Sequence, residues 1–310
     1  MTLAAVTIDV DSLHHYQEIH GDKAARPLQD DPIYTVAMPR FWELLDGLPA
    51  TLFLIGRDAP SWPQAFAPID ATGSEVASHS FAHDYRMTRM SADEMHQDLA
   101  RAEAALAPLA GGQRPVGFRA PGYNQTPLLM SVLRERGYTY DSSLLPAPSY
   151  YAARVAAIGG YHVRGTPSRS LIGDPRAFGG PRAPYRMDAE SYWRPARDGN
   201  LWELPIWVER RTRTPLIGTT WAAMPGVVRR RVLRAARRRS EPIVFEMHAI
   251  DLLDATDPGV PAELARRQVD LQVLFAQKRR RLQELFRALS ADWDVSPLRS
   301  WPDALVPSPT

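Results

Sequence analysis

The 310-residue chain is 45% hydrophobic and 23% charged, which supports a sizeable buried core and excludes a disordered or fibrous protein. It holds no cysteine, so disulfides, iron–sulfur clusters and thiolate metal sites are excluded, and histidine and carboxylate remain as the strong metal ligands. With 37 basic against 35 acidic residues, the net charge of +2 supplies no overall field of the kind that draws nucleic acid, and no such partner is expected.

The first nine residues, MTLAAVTID, lack a basic segment and reach an acid too early for a secretory signal. No later apolar run approaches the about 18 residues that cross a bilayer. A cytoplasmic location is expected, at most peripheral to the inner face of the membrane. Leu3 to Ile8, Thr51 to Ile55 and Ile243 to Phe245 are continuous apolar runs that suit buried parallel strands. Between them lie helical periods. Ser91 to Leu109 places Met95, Leu99, Ala102 and Leu106 on one face behind a Ser91–Glu94 capping box, and Thr126 to Arg136 opens on Thr-Pro and stops at Gly137. A C-terminal helix is predicted over 262–290, with Leu264, Leu271, Leu274, Phe275, Leu282, Leu285 and Leu289 along it. Alternation of strand and helix over the first half predicts a single α/β domain over 1–310, with a mostly parallel sheet or barrel. The proline- and tyrosine-rich stretch 144–200 interrupts that rhythm and reads as an elaborated insertion or lid.

Reactive side chains concentrate in five segments. Asp9 and Asp11 end an apolar strand at i and i+2 and so share one face, which fits a metal ligand beside a base and equally fits acids that cap a turn. His79 and His83 stand at i, i+4; on one face of a helical turn they would grip a divalent ion. His14 and His15 follow Asp11 without ligand spacing and are expected to be exposed or to face substrate. Gly117-Phe-Arg119-Ala-Pro121-Gly-Tyr123 reads as a strand and rigid turn carrying a guanidinium. Gly137-Tyr-Thr-Tyr-Asp141 and Ile243-Val-Phe-Glu246-Met-His248 are strands ending in an acid and a histidine. His248 is placed to act as a general acid or base.

In this order T-I-D-V-D, H-S-x-x-H, R-A-P-G-Y, Y-D-S-S and F-E-M-H resemble the polysaccharide deacetylase (NodB-homology) superfamily, carbohydrate esterase family four. The resemblance spans roughly residues 4 to 250 and implies a distorted, incomplete (β/α) barrel. It further implies metal-dependent removal of an acyl group from a sugar. Asp11, His79 and His83 would hold one divalent ion, zinc first, with cobalt, nickel or manganese as alternatives. By the same resemblance Asp9 would be the base, Arg119 would hold it, the backbone N–H of Tyr123 would meet the oxyanion, and His248 would protonate the leaving amine. Asp141 falls where the family orients its catalytic histidine, with Glu246 and Asp251 as alternatives. The valine between Asp9 and Asp11 is similar to the branch that contains the aminoarabinose-lipid deformylases and some cyclic-amide hydrolases.

The expected activity is therefore N-deacylation, acetyl or formyl, of a lipid-linked or nucleotide-linked amino sugar in cell-envelope glycan biosynthesis. A small cyclic-amide amidase and a catalytically silent carbohydrate-binding relative are the alternatives. Leu204 and Pro205 are expected to wall the acyl group. Arg229 to Arg239 holds seven arginines and no acid; it reads as a helix able to rest on anionic lipid, or as a solvated surface helix.

Overall fold

The computed structural model describes residues 2–22, 25–163 and 172–306. Among these, nine strands form one curled sheet. Its members are β1 (Leu3–Val10), β2 (Thr51–Leu54), β3 (Glu75–Ser78), β4 (Gly117–Phe118), β5 (Tyr140–Asp141), β6 (Tyr185–Arg186), β7 (Trp202–Glu203), β8 (Ile243–His248) and β9 (Asp294–Val295). Their order is β6-β7-β5-β4-β3-β2-β1-β8, with β9 paired to the start of β1, and every pairing except β6 with β7 is parallel. Between β7 and β8 the sheet is bridged by the chain at 206–207. Ile206 donates its N–H to the Leu144 carbonyl and Trp207 to the Val244 carbonyl, each at 3.0 Å. The result is the distorted, incomplete barrel expected of the α/β class.

Period-two alternation sorts the strand residues into two cores. Ala4, Val6, Ile8 and Val10 of β1 join Leu52, Leu54, Ile243, Phe245 and Met247 under the helices, in the larger apolar cluster. Ala5, Phe53, Ala77, Tyr140, Leu204 and Val244 point inward, where Leu298 and Trp301 plug the lower end. Above that plug, Glu75 accepts from Tyr140 Oη at 2.8 Å, Thr51 Oγ1 at 3.0 Å and the Arg299 N–H at 2.8 Å. The polar residues that remain on the inner face, Thr7, Asp9, Glu246 and His248, therefore rise toward the carboxyl ends of the strands, where such barrels gather their chemistry.

Helix boundaries follow the capping signals in two cases. Ala92–Leu106 begins behind a Ser91–Glu94 capping box, and Pro127–Glu135 begins where the Thr126 side chain accepts the Leu129 N–H. The single helix predicted over 262–290 is corrected: it is broken into Ala262–Arg267 and Phe275–Asp292, with a short 3-10 turn, Val269–Gln272, between. The physical reason is a new helix start, at which the Asp254 carboxylate accepts the Phe275 N–H at 2.7 Å. Within 144–200 the chain forms a helix, Pro148–Val163, and the β6 edge strand; the part of that expectation over 164–171 lies outside the described residues.

Gly117 is required by packing. A Cβ there would stand 2.0 Å from Cζ of Tyr140, whose hydroxyl is anchored to Glu75. Gly117→Ala is expected to lower stability by about 3 kcal/mol through overpacking, read as a shifted urea midpoint with an unchanged slope; an unmoved midpoint would contradict this packing.

Candidate active site

Arg119, at the end of β4, is fully buried and donates in four directions. Its Nε reaches the Ser142 carbonyl at 2.8 Å, one terminal nitrogen reaches Ser142 Oγ at 3.0 Å, and the other reaches Thr7 Oγ1 at 3.1 Å and Asp9 Oδ1 at 2.6 Å. Its guanidinium carbon lies 4.0 Å from the centre of the Phe53 ring. Burial alone would raise the Asp9 pKa, but Arg119, with His79 and His248, more than offsets it and holds the carboxyl below its ordinary range. Asp9 is thus a buried, ionised carboxylate at the bottom of the cleft.

The Arg119 carbonyl has a second task. It accepts from His79 Nδ1 at 2.7 Å, which orients the ring and turns Nε2 toward Asp11, 3.6 Å from its Oδ1. His83 Nε2 approaches the same oxygen at 3.5 Å. One ligand atom from each of Asp11, His79 and His83 lies within 4.8 Å of the others, and Asp11 Oδ1 is buried without a hydrogen-bond partner. Burial lowers the His83 pKa well below its usual value, and His15, His79, His248 and Arg57 lower it further, so the ring is neutral and its lone pair free. A carboxylate oxygen and two imidazole nitrogens converging on one buried point suit a divalent ion, and these residues fit one.

The helical turn expected over His79–His83 is absent. Ser80 and His83 have φ of 64° and 53°, and the segment is a loop. Left-handed backbone at non-glycine residues is strained and persists where the surroundings enforce it. Asp98 does so here by accepting the N–H groups of Phe81 at 2.8 Å and Ala82 at 3.2 Å, while Ser80 Oγ accepts the His83 N–H at 3.0 Å. Sequence reasoning missed Asp98; its signal was an acid beside the apolar face of the helix that carries Met95, Leu99 and Ala102.

Across the cleft His248 ends β8 with its side chain 29% exposed, Nδ1 2.9 Å from Glu246 Oε1 and Nε2 4.0 Å from Asp9 Oδ2. Burial pulls its pKa down, but Glu246, Asp9 and Asp11 outweigh burial and raise it well above the ordinary value. Asp251 holds the backbone, accepting the His248 N–H at 3.0 Å. Of the three acids weighed as partners of the ring, Glu246 is the one in contact. Asp141 instead accepts from Ser143 Oγ and from Gln125 Nε2, each at 2.6 Å, and Gln125 also donates to Glu203 at 2.7 Å. Ser143 Oγ in turn accepts the Ala120 N–H at 2.8 Å, so Asp141 acts on the turn that follows Arg119.

That turn brings Tyr123 to the site in a left-handed conformation, φ 62°. Its N–H, expected to meet an oxyanion, is donated to the Ala120 carbonyl at 2.9 Å. Its hydroxyl is buried without a partner, and the ring lies 6.3 Å from that of His248. Two further expectations are corrected. His14 and His15 are buried: His15 Nε2 lies 2.9 Å from Asp58, its ring packs 4.7 Å from His83, and burial beside His15 pushes the His14 pKa down to about 4. Leu204 packs into the inner core with Tyr140 and Trp301; the apolar residues clustered with Tyr123 include Leu145, Tyr151, Ile206 and Ile217. The helix of the 144–200 stretch adds Tyr150, 6.2 Å from the Tyr123 ring, and Arg154, which donates to the Gly122 carbonyl at 2.8 Å.

Residues 30–140 match the family described as polysaccharide deacetylase. Over these residues the chain is similar to the polysaccharide deacetylases. The matched stretch carries His79, His83, Arg119 and Tyr123, whereas Asp9, Asp11 and His248 lie outside it. A peptidoglycan deacetylase-like protein of Gibberella zeae is 32% identical over 113 residues, which are 35% of this chain and 33% of that protein. A peptidoglycan deacetylase of Helicobacter pylori is 24% identical over 147 residues, 46% of this chain and 50% of its own. The chain thus matches half or less of the length of these curated relatives. In fold, the chain is similar to a Mycobacterium smegmatis structure assigned as a polysaccharide deacetylase, with a TM-score of 0.59 and 20% identity over 99% of this chain and 94% of that one.

Glu246→Gln is expected to lower the titration midpoint of His248 in the metal-free protein by about one unit or more, because the nearest anion is lost. Histidine NMR would read this directly, and an unchanged midpoint would show that Glu246 does not set the charge of that ring.

Proposed function

We propose that the protein is a metal-dependent N-deacylase acting on an acylated amino sugar. The observation that carries this reading is the separation of three roles in one buried cleft: an ionised carboxylate at Asp9, an imidazolium at His248, and a convergent ligand set at Asp11, His79 and His83. A divalent ion held by those three residues would polarise an acyl carbonyl and lower the pKa of a water beside it.

The chain's own residues do the rest. Asp9, kept ionised by Arg119, takes the proton as water attacks the acyl carbon. The Tyr123 hydroxyl, the free donor of its turn, gives a hydrogen bond to the oxygen that gains charge. His248 gives its proton to the nitrogen as the C–N bond breaks, and Glu246 steadies the imidazolium before transfer. The products are a carboxylic acid and a free amine. Leu145, Tyr151, Ile206 and Ile217 form the apolar side that would receive a small acyl group, and Tyr150 adds an aromatic surface beside it.

The D-V-D spacing of Asp9 and Asp11, similar to that of the aminoarabinose-lipid deformylases, supports a lipid-linked amino sugar as the substrate, with a nucleotide-linked one as the alternative and cell-envelope glycan synthesis as the setting. Zinc is the first expectation for the metal, with cobalt, nickel and manganese chemically equivalent candidates for this ligand set.

The test is proton NMR of N-acylated amino sugars, soluble and lipid-linked, incubated with zinc- or cobalt-loaded protein. Free acetate or formate should appear in step with new amine, and no release from any of these substrates would overturn the reading. His79→Ala and His83→Ala should lose metal and activity together. His248→Ala should keep the metal while turnover falls about 10²–10⁴-fold, the usual worth of a general acid; metal loss in that variant would make His248 a ligand.

A further inference from the structure

The helix Gly226–Arg238 carries Arg229 and Ala236 on its buried side. Its outer side is different. Val227, Arg230, Arg231, Arg234 and Arg238 are all exposed, with Val227 65% and the neighbouring Val228 40% accessible. Among the described residues Arg229 pairs with Glu284 and Arg237 with Asp292, but no ion pair engages Arg230, Arg231, Arg234 or Arg238. Between this helix and the chain at 209–214 lies a groove of about 1030 Å³, with Met224, Val228 and Val232 on its apolar side and Arg231, Arg234 and Arg238 along it.

We propose that this surface docks the protein on an anionic phospholipid bilayer, with Val227 and Val228 entering the interface and the arginines meeting headgroup phosphates. Unpaired guanidinium groups concentrated on one helix face, in a chain whose net charge is only +2, make a local field rather than a general one. Arginine presents a planar fork that suits phosphate. The apolar component selects lipid over nucleic acid: exposed valines and a groove floor of Met224, Val228 and Val232 offer burial to acyl chains, and no aromatic side chain lines the groove to stack on bases. No described helix is long and apolar enough to cross a membrane, and the helix Gly226–Arg238 would lie along the bilayer surface. The groove also has a structural tie to the cleft. Its wall includes Thr220 and Ala223 of the helix Gly218–Ala223, and a Cβ at Gly218, the first residue of that helix, would stand 2.0 Å from the Asp251 carboxylate that holds the His248 backbone.

The test is co-sedimentation of the full chain with vesicles of phosphatidylcholine alone and of an equimolar mixture with phosphatidylglycerol. Binding is expected to the mixture and not to phosphatidylcholine, and to fall as salt is raised. Combined Arg231→Gln, Arg234→Gln and Arg238→Gln should weaken it about a hundredfold, and Val227→Ser with Val228→Ser roughly tenfold. Unchanged far-ultraviolet circular dichroism and melting would verify that these surface variants fold. Equal binding by wild type and the arginine variant, equal binding to both vesicles, no binding, or tighter binding to a single-stranded DNA oligonucleotide would each overturn the proposal. It stands apart from the hydrolase reading, because release of acetate from a soluble N-acetylated sugar is expected to survive the arginine substitutions.

Discussion

The buried pair between Arg119 and Asp9 is the constraint on which the rest of the cleft depends. Taking both charges out of water is costly, and the pair is tolerable only because nearly every donor of the guanidinium has a partner: Asp9, Thr7 and two atoms of Ser142, with the Phe53 ring beneath. Those partners come from β1, from the end of β5 and from β2, so one side chain ties together three strands on which the site is built. Its own carbonyl orients the ring of His79. Removing either charge would strand the other, at about 3–5 kcal/mol, while the Arg119 backbone carbonyl would still hold His79.

From that pair follows the division of labour across the cleft. Asp9 is held as an anion by a cation it touches; His248 is held as a cation by Glu246, with Asp9 and Asp11 further away. Their ordinary pKa values of 3.8 and 6.5 are already apart and the cleft widens the gap, so Asp9 starts unprotonated and His248 starts protonated over the same pH range. His83, packed against His15 and His79, is driven the other way and stays neutral. The loop that carries it adopts left-handed backbone at two non-glycine residues, and Asp98 on the neighbouring helix supplies the hydrogen bonds that keep it there. Strain of this kind, concentrated where side chains must converge, accompanies function in many folds.

Much of the framework was legible in the chain. The apolar runs at β1, β2 and β8 are long enough to read, and period two alone puts Asp9 and Asp11 on one face. The two capped helices were marked by Ser91 with Glu94 and by Thr126 with Pro127. Strands β4 and β5 have two residues each and no period to detect, so their side chains were placed by motif and not by pattern. The i, i+4 spacing of His79 and His83 suggested a helix because positive φ at serine and histidine has no local signature. Asp141 could not be separated from Glu246 as the partner of His248, since its true contacts, Gln125 and Glu203, are set by packing between distant segments. The plug of Leu298 and Trp301 under the barrel is likewise a long-range fact, with nothing in its own sequence to announce it.

The central claim is that Asp9 and Asp11, two residues apart on one strand, do different work: Asp9 moves a proton and Asp11 holds the metal. Cobalt titration of Asp9→Asn, followed by calorimetry and visible absorption alongside acyl release, tests this most directly. The account predicts one bound cobalt with affinity within a few-fold of wild type and acyl release reduced to background. Loss of cobalt binding in Asp9→Asn, or full activity with cobalt bound, would contradict it.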